Sequence, residues 1–517
     1  MSRKILLVEA LLLITATTIA YAPSWWNGFV YDDENYILRN PRVHGTLDLP
    51  KIFTETYPPD TRDRAIYRPL VTLSFYVDGK LWGFAAQDQW NGFHLTNSLL
   101  HSLNTCLLLL ILRFFRMSSA PRMAACLIFG LHPVSTEAVA WIVGRAELLG
   151  MNFGLIAVLS FLRRPRGIGL VATCACWIFA MLCKEHWIVL PGLITLLCVL
   201  LPANIKSLFA NSPLLAKEGL GEVGRDRGTP CSPPCQGGHL KRRMIWRWGC
   251  LALFTGIGFW AIRSMIVGSW HAPVSAYGSI SAPARMATAL AILWKYVGLW
   301  FWPVPLSVYH EIHPLTRFGE SVVPVAGWLF VFWLMWRARS IFPWFTLAMS
   351  WFWVLLLPVS NLIIPIGTIS GERFIYPATL FFAPALVVGL NKVFSVMFQA
   401  SAHKPSKIFL LTIGCLLLSV RLWTRLDDWK TNLSLWTSTA KAYPQSYGVK
   451  VQLAAALLGE KRFFEAHVVA TEALRQAEKT PQPYQKYLQP RLLKVEALAR
   501  EGMRRRAQEQ ESSMPVK

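Results

Sequence analysis

The chain has 517 residues, of which 54% are hydrophobic and only 16% charged. A soluble globular protein carries about 25% charged residues, so an ordinary soluble domain is excluded, and the apolar content excludes disorder for most of the chain. The 52 Lys and Arg against 29 Asp and Glu give a net charge of +23, which fits either a nucleic-acid binder or a polytopic membrane protein with basic cytoplasmic loops.

Long apolar runs recur from one end of the chain to the other. A span takes roughly 20 apolar residues. The runs 5–22, 93–113, 123–141, 147–162, 168–183, 187–202, 245–268, 323–338, 341–357, 374–396 and 407–424 are candidate spans. A further apolar stretch lies at 286–303. The first run has Arg3 and Lys4 ahead of it, as a signal peptide would, but so many later runs favour a retained first helix. Trp25, Trp26, Trp300 and Trp302 sit at the ends of apolar runs, where interfacial aromatic belts lie.

The positive-inside rule orients these spans. Basic clusters occur at Arg3/Lys4, Arg113/Arg116/Arg122, Arg163/Arg164/Arg166, Lys241/Arg242/Arg243/Arg247, Arg337/Arg339 and Lys404/Lys407. All fall in the cytoplasm if 286–303 is re-entrant, ending at the helix-breaking WPVP of 302–305. This gives eleven spans, with the first loop 23–92 and the C-terminal segment 425–517 both outside. The basic residues are thus dispersed between spans, which argues against nucleic acid. Eight of the ten Cys lie in or beside apolar runs, where Cys acts as a small hydrophobe. Cys231 and Cys235 stand too isolated for a zinc site, with only His239 near.

Two stretches differ from the rest. Segment 203–244 is rich in Gly, Pro and charge, and reads as a disordered cytoplasmic insertion. After 425 the chain becomes polar and helical. Leu453, Ala454, Leu457, Ala466, Ala473 and Leu474 fall near the pattern of a tetratricopeptide repeat, with Gly459 displaced and Pro481 late. Fewer than three repeats rarely fold alone, so this TPR-like segment is expected to dock on the membrane domain 1–424.

The ionisable residues that remain collect on the outer face. GFVYDDENYILRNPRV opens the first outer loop with Asp32, Asp33 and Glu34. Tyr67-Arg68-Pro69 closes it. Around the following outer turns come His132, Glu137, Arg145 and Glu147, then Lys184-Glu185-His186, then Glu372 and Arg373. Ionisable groups at membrane depth are costly and mark functional cavities, although each neighbouring pair is also readable as an internal salt bridge. Acids and cations together at an outer membrane surface suit a lipid-linked phosphosugar. Cations stabilise the departing phosphate and a carboxylate takes the proton of the acceptor hydroxyl. No metal is required if cations neutralise the phosphate.

At these motifs the chain resembles the GT-C glycosyltransferases. It looks most like the transmembrane and tetratricopeptide-repeat O-mannosyltransferase family and its bacterial relatives. The resembling stretches are YDDENYILRNPRV (31–43), YRPLVTLSF (67–75), FHLTNSLLHSLNTCLL (93–108), LHPVSTEAVAWIVGRAELL (131–149), CKEHWIVLP (183–191), GERFIYP (371–377) and WTRLDDWKTNLSLW (423–436). The resemblance implies an all-α polytopic GT-C fold of about eleven transmembrane helices. It implies an inverting transfer of a sugar, with mannose the candidate, from a polyprenyl-phosphate donor to an acceptor protein or glycan. Asp32 is then the expected base and Asp33 its partner, or the reverse. Arg68, Arg145, Glu147, Lys184, Glu185, Glu372 and Arg373 are expected to hold donor phosphate or to form supporting pairs. The expected setting is a bacterial inner membrane with the site facing the periplasm. The competing readings are a non-enzymatic membrane scaffold that binds a partner through the TPR-like segment, and a transporter. The transporter would show inverted repeats and matched broken helices, which the sequence lacks.

Overall fold

A computed structural model describes residues 3–59, 66–86, 88–165, 167–200, 236–268, 280–363, 365–366, 368–397, 407–477 and 482–512. Most of the proposed insertion, including Cys231 and Cys235, lies outside the described residues. The described chain is helical throughout, with no strand among the described residues. In chain order the helices are α1 (Arg3–Ala20), α2 (Leu49–Thr54), α3 (Pro69–Trp82), α4 (Gly92–Phe114), α5 (Ser119–Leu131), α6 (Thr136–Val139), α7 (Arg145–Arg163), α8 (Ile168–Cys183), α9 (Leu190–Leu200) and α10 (Gln236–Val267). They continue with α11 (Ala282–Phe301), α12 (Phe318–Ala338), α13 (Pro343–Leu356), α14 (Ile375–Ala378), α15 (Phe382–Met397) and α16 (Lys407–Asp428). The C-terminal segment holds α17 (Asn432–Ala442), α18 (Tyr447–Gly459), α19 (Phe463–Ala477) and α20 (Gln482–Ser512).

Among the described residues, four helical segments are long and apolar enough to cross a membrane: Gly92–Phe114, Ile142–Arg163, Phe318–Ala338 and Phe409–Asp428. A fifth candidate is the pair formed by Glu372–Ala378 and Phe382–Ser395, bent by 61°. Several other apolar helices are shorter, α5, α8 and α13 among them. The ambiguous stretch 286–303 is one continuous helix, α11, which ends at Phe301 where WPVP begins.

The spans divide into inner and outer ones. The α4 and α7 segments are largely buried by protein, whereas α12 and α16 expose most of their apolar surface, including Phe330, Trp333, Leu416 and Leu417. Such outward apolar surface suits lipid as solvent. Lipid removes the hydrophobic drive for helix association, so packing and interhelical hydrogen bonds must supply it.

The polar residues of FHLTNSLLHSLNTCLL do that work. They recur at helical spacing along one side of α4. Asn97 Nδ2 donates to the carbonyls of Val139 (3.1 Å) and Trp141 (3.2 Å). Asn104 Nδ2 donates to Leu148 O (3.1 Å) and to the Tyr376 hydroxyl (3.0 Å). His101 lies between Tyr376 and the Gly130 carbonyl, 2.9 Å from each. The stretch 132–144 is only short helical turns between α5 and α7. Non-helical backbone at membrane depth survives only where protein satisfies it, and α4 does so here.

Close packing also explains two glycines. A Cβ on Gly150 would stand 2.6 Å from Trp187 Nε1, and one on Gly154 would stand 2.4 Å from the Trp187 ring. Gly154→Ala is therefore expected to destabilise the protein. Overpacking costs ~1–3 kcal/mol, which exceeds the ~0.5–1 kcal/mol that alanine gains over glycine within a helix. A lower thermal midpoint in detergent would register it, and an unchanged midpoint would refute it.

Candidate active site

The loop after α1 opens with a short turn at Ala22–Trp26 and reaches Tyr31, whose φ of 59° is left-handed. The two acids that follow differ in burial. Asp33 is fully buried. Its Oδ2 accepts the Val30 N–H (2.9 Å) and its Oδ1 accepts the Val143 N–H (3.1 Å). It therefore staples the first outer loop to the turn that precedes α7. Burial pushes the Asp33 carboxyl up to about 8; the two amides oppose that rise and the Asp32 charge adds to it. Asp32 is only partly buried. Its charge is the largest influence that raises the neighbouring Tyr31 phenol, reinforced by burial and opposed by Arg373.

Arg68, Arg145, Glu147, Lys184, Glu185, Glu372 and Arg373 all have ionic partners, and the partners are not chain neighbours. Arg145 is paired with Asp78 of α3 (2.6 Å), not with Glu147. Its Nε also donates to Asn97 Oδ1 (2.7 Å) and its Nη2 to Phe93 O (2.8 Å), all within the buried core. Glu147 forms an ion pair with Lys184 Nζ (2.6 Å) and lies 3.8 Å from His186 Nε2. Glu185 instead faces Arg68 (3.2 Å) and accepts the Tyr67 N–H (3.3 Å). Arg373 binds Glu137 through both its guanidinium and its backbone N–H, and lies over the Trp141 ring. Glu372 turns the other way, to the Ser307 N–H, His310 (3.0 Å) and Arg425 (3.6 Å). Residues one or two apart do not face each other on a helix, which is why sequence adjacency misassigns the pairs.

Exposure separates these cations. Arg145 is wholly enclosed at 0%, whereas Arg68 and Arg373 keep 16% and 15% of their side chains open and Lys184 keeps 7%. The last three also sense one another. Lys184 is pulled below the ordinary lysine range first by burial; the charges of Arg68 and Arg373 push the same way, against Glu147. The three cations, each paired with its own glutamate, thus form one network with partly open edges. Tyr31, the neighbour of Asp32 in the chain, senses the charge of Arg373.

No protein-family model matches the chain. Individual proteins do match. Human protein O-mannosyl-transferase TMTC3 is 25% identical over 485 residues, covering 89% of this chain and 50% of that protein. Mouse protein O-mannosyl-transferase TMTC4 is 25% identical over 477 residues, covering 82% of this chain and 61% of the mouse protein. Drosophila melanogaster protein O-mannosyl-transferase Tmtc2 is 35% identical over a shorter 180 residues, covering 32% of this chain and 19% of the fly protein. Over most of its length the chain is thus similar to proteins named as O-mannosyl-transferases. It spans about half the length of the human and mouse TMTC3 proteins it matches.

Several further groups lie close to these residues in the fold. Asp78 was detectable as a lone acid within the apolar run PLVTLSFYVDG of α3. Arg263 was detectable in the same way within α10, where its charge acts on Glu185. Tyr31 and Asn432 fall within the resembling stretches 31–43 and 423–436 but, like His310, take their roles from contacts distant in sequence.

Proposed function

We propose that the chain is a multi-pass membrane glycosyltransferase of GT-C type. It moves a sugar, mannose by the names of its relatives, from a polyprenyl-phosphate donor to an acceptor hydroxyl on the extracytoplasmic face. The observation that carries this reading is a group of three partly open cations, Arg373, Lys184 and Arg68, one of which acts on Tyr31, the residue that precedes the partly exposed Asp32. Asp32 takes the acceptor hydroxyl proton as that oxygen attacks C1 of the sugar. The C1–O bond to phosphate breaks, and its electron pair leaves on the phosphate oxygen. Arg373, Lys184 and Arg68 stabilise that developing anion. A single displacement inverts C1. Asp33, with both oxygens held by backbone amides, fixes the loop that presents Asp32. Glu137, Glu147 and Glu185 orient the three cations, while Arg145 and Glu372 support the walls.

In this reading the membrane domain has about eleven spans, the basic clusters face the cytoplasm of a bacterial inner membrane, and α18–α20 form a short TPR-like unit that meets an acceptor protein. The scaffold alternative gives no role to cations left open at the outer end of a buried network. The test is a transfer assay with the purified full chain in nanodiscs. Polyprenyl-phosphate mannose is expected to donate, nucleotide sugars are not, and EDTA is expected to leave the rate unchanged. Use of a nucleotide sugar, or loss of activity in EDTA that added divalent metal restores, would overturn the mechanism.

A further inference from the structure

The stretch WTRLDDWKTNLSLW has no part in the chemistry above, yet it lies against the acidic loop along its whole length. The indole of Trp423 donates to Ala20 O (3.0 Å), at the end of α1. Asn27 Nδ2 donates to Leu426 O (3.2 Å), and the Gly28 N–H donates to Lys430 O (3.1 Å). Thr431 caps α17 by accepting the Ser434 N–H (3.0 Å), which fixes the first turn of that helix. Asn432, in that turn, accepts the Tyr31 N–H on its Oδ1 at 2.7 Å. The Tyr31 ring then sits between Trp141 (5.5 Å between centroids) and Trp436 (5.7 Å). Trp429 stacks on the far side, against Trp141 (6.3 Å).

Tyr31 is a bulky residue in the left-handed region, a strained conformation that persists only where its surroundings hold it. Here the holders are named: one side-chain oxygen and two indoles, of which the oxygen and one indole come from the far end of the chain. The residue held so firmly is the one immediately before Asp32. Relaxation of Tyr31 to an ordinary φ would redirect the chain at Asp32.

We propose that segment 423–436 is a positioning element of the active site, with Asn432 its central contact. It locks the strained Tyr31 backbone and thereby aims the Asp32 carboxylate. The inference rests on the reading of Asp32 as the base. It makes the start of the C-terminal segment a wall of the catalytic centre, so this part of the segment does more than recruit an acceptor.

The test uses the full chain in nanodiscs with polyprenyl-phosphate mannose, comparing wild type, Asn432→Ala and Asn432→Asp. Two readouts are taken: hydrogen–deuterium exchange of the peptide covering 28–36, and kcat with donor KM. In Asn432→Ala, loss of one hydrogen bond is expected to speed exchange of that peptide about 5–10-fold. Misplacement of the base is expected to lower kcat by ~10–100-fold, with donor KM changed by less than about twofold, because uniform binding is untouched. Asn432→Asp keeps an acceptor oxygen at the same place, so it is expected to restore exchange protection and most of kcat. Unchanged exchange, an unchanged kcat, or a loss that Asn432→Asp fails to repair would overturn the proposal. If wild type transfers no sugar, the reading of Asp32 as base falls separately. Exchange over 28–36 then decides alone whether 423–436 holds the loop, with faster exchange in Asn432→Ala supporting it and unchanged exchange refuting it.

Discussion

Replacing Asp32 with Asn is expected to lower sugar transfer by ~10²–10⁴-fold, the contribution of a positioned general base, while leaving the thermal midpoint close to that of wild type. The argument lies in the difference between two adjacent acids. Asp32 is partly open, and its side chain is nearly isosteric with Asn. Asp33 is closed, with both carboxyl oxygens engaged by the Val30 and Val143 amides. Asp33→Asn offers one oxygen where two are needed and leaves one buried N–H facing an NH₂ group, at a cost of ~1–3 kcal/mol. The two variants should therefore separate: the first loses rate and keeps stability, the second loses stability first. A fully active Asp32→Asn enzyme would sink the catalytic assignment.

The pH dependence sharpens the contrast. Burial raises the Asp33 carboxyl from an ordinary 3.8 to about 8, so between those values the folded state holds a proton that the unfolded state releases. Stability from this group is then complete at low pH and declines as pH rises towards 8, with little further change above it. Asp33→Asn cannot titrate, so its deficit relative to wild type should be largest near pH 5 and shrink towards pH 8. Thermal midpoints at the two pH values check the sign. A deficit that grows with pH would refute it.

Much of the architecture was legible because lipid imposes a simple rule on composition. Runs such as 93–113 and 147–162 needed only length and apolarity to be read, and both fall in well-formed helices, α4 and α7. The outer-face residues were also legible as types, since an ionisable group in an apolar chain stands out wherever it falls. What the sequence hid was the pairing. Arg145 reaches Asp78 across 67 positions of chain, and Glu372 reaches Arg425 across 53. Periodicity along one helix says which face a residue occupies, and nothing about which helix that face meets. The same limit concealed Asn432, a commonplace polar residue in the first turn of a helix, whose significance is the backbone of Tyr31.

Arg145→Met is expected to be the most destabilising substitution on the outer face, by about 3–5 kcal/mol, the cost of breaking a buried pair by removing one partner. It leaves the Asp78 carboxylate in a site built around a guanidinium, and it strips the donors from Asn97 Oδ1 and Phe93 O. Adding Asp78→Leu should recover part of the loss, because a buried pair replaced on both sides by apolar groups is often close to neutral. Arg373→Gln should behave differently. Arg373 keeps an open edge, and its backbone N–H still holds Glu137 after the guanidinium is gone, so stability should fall less and donor turnover more. Folded yield and kcat/KM for the two variants therefore test which cations serve the fold and which serve the phosphate. If Arg145→Met folds normally and loses only donor affinity, Arg145 moves into the phosphate site and the division by exposure fails.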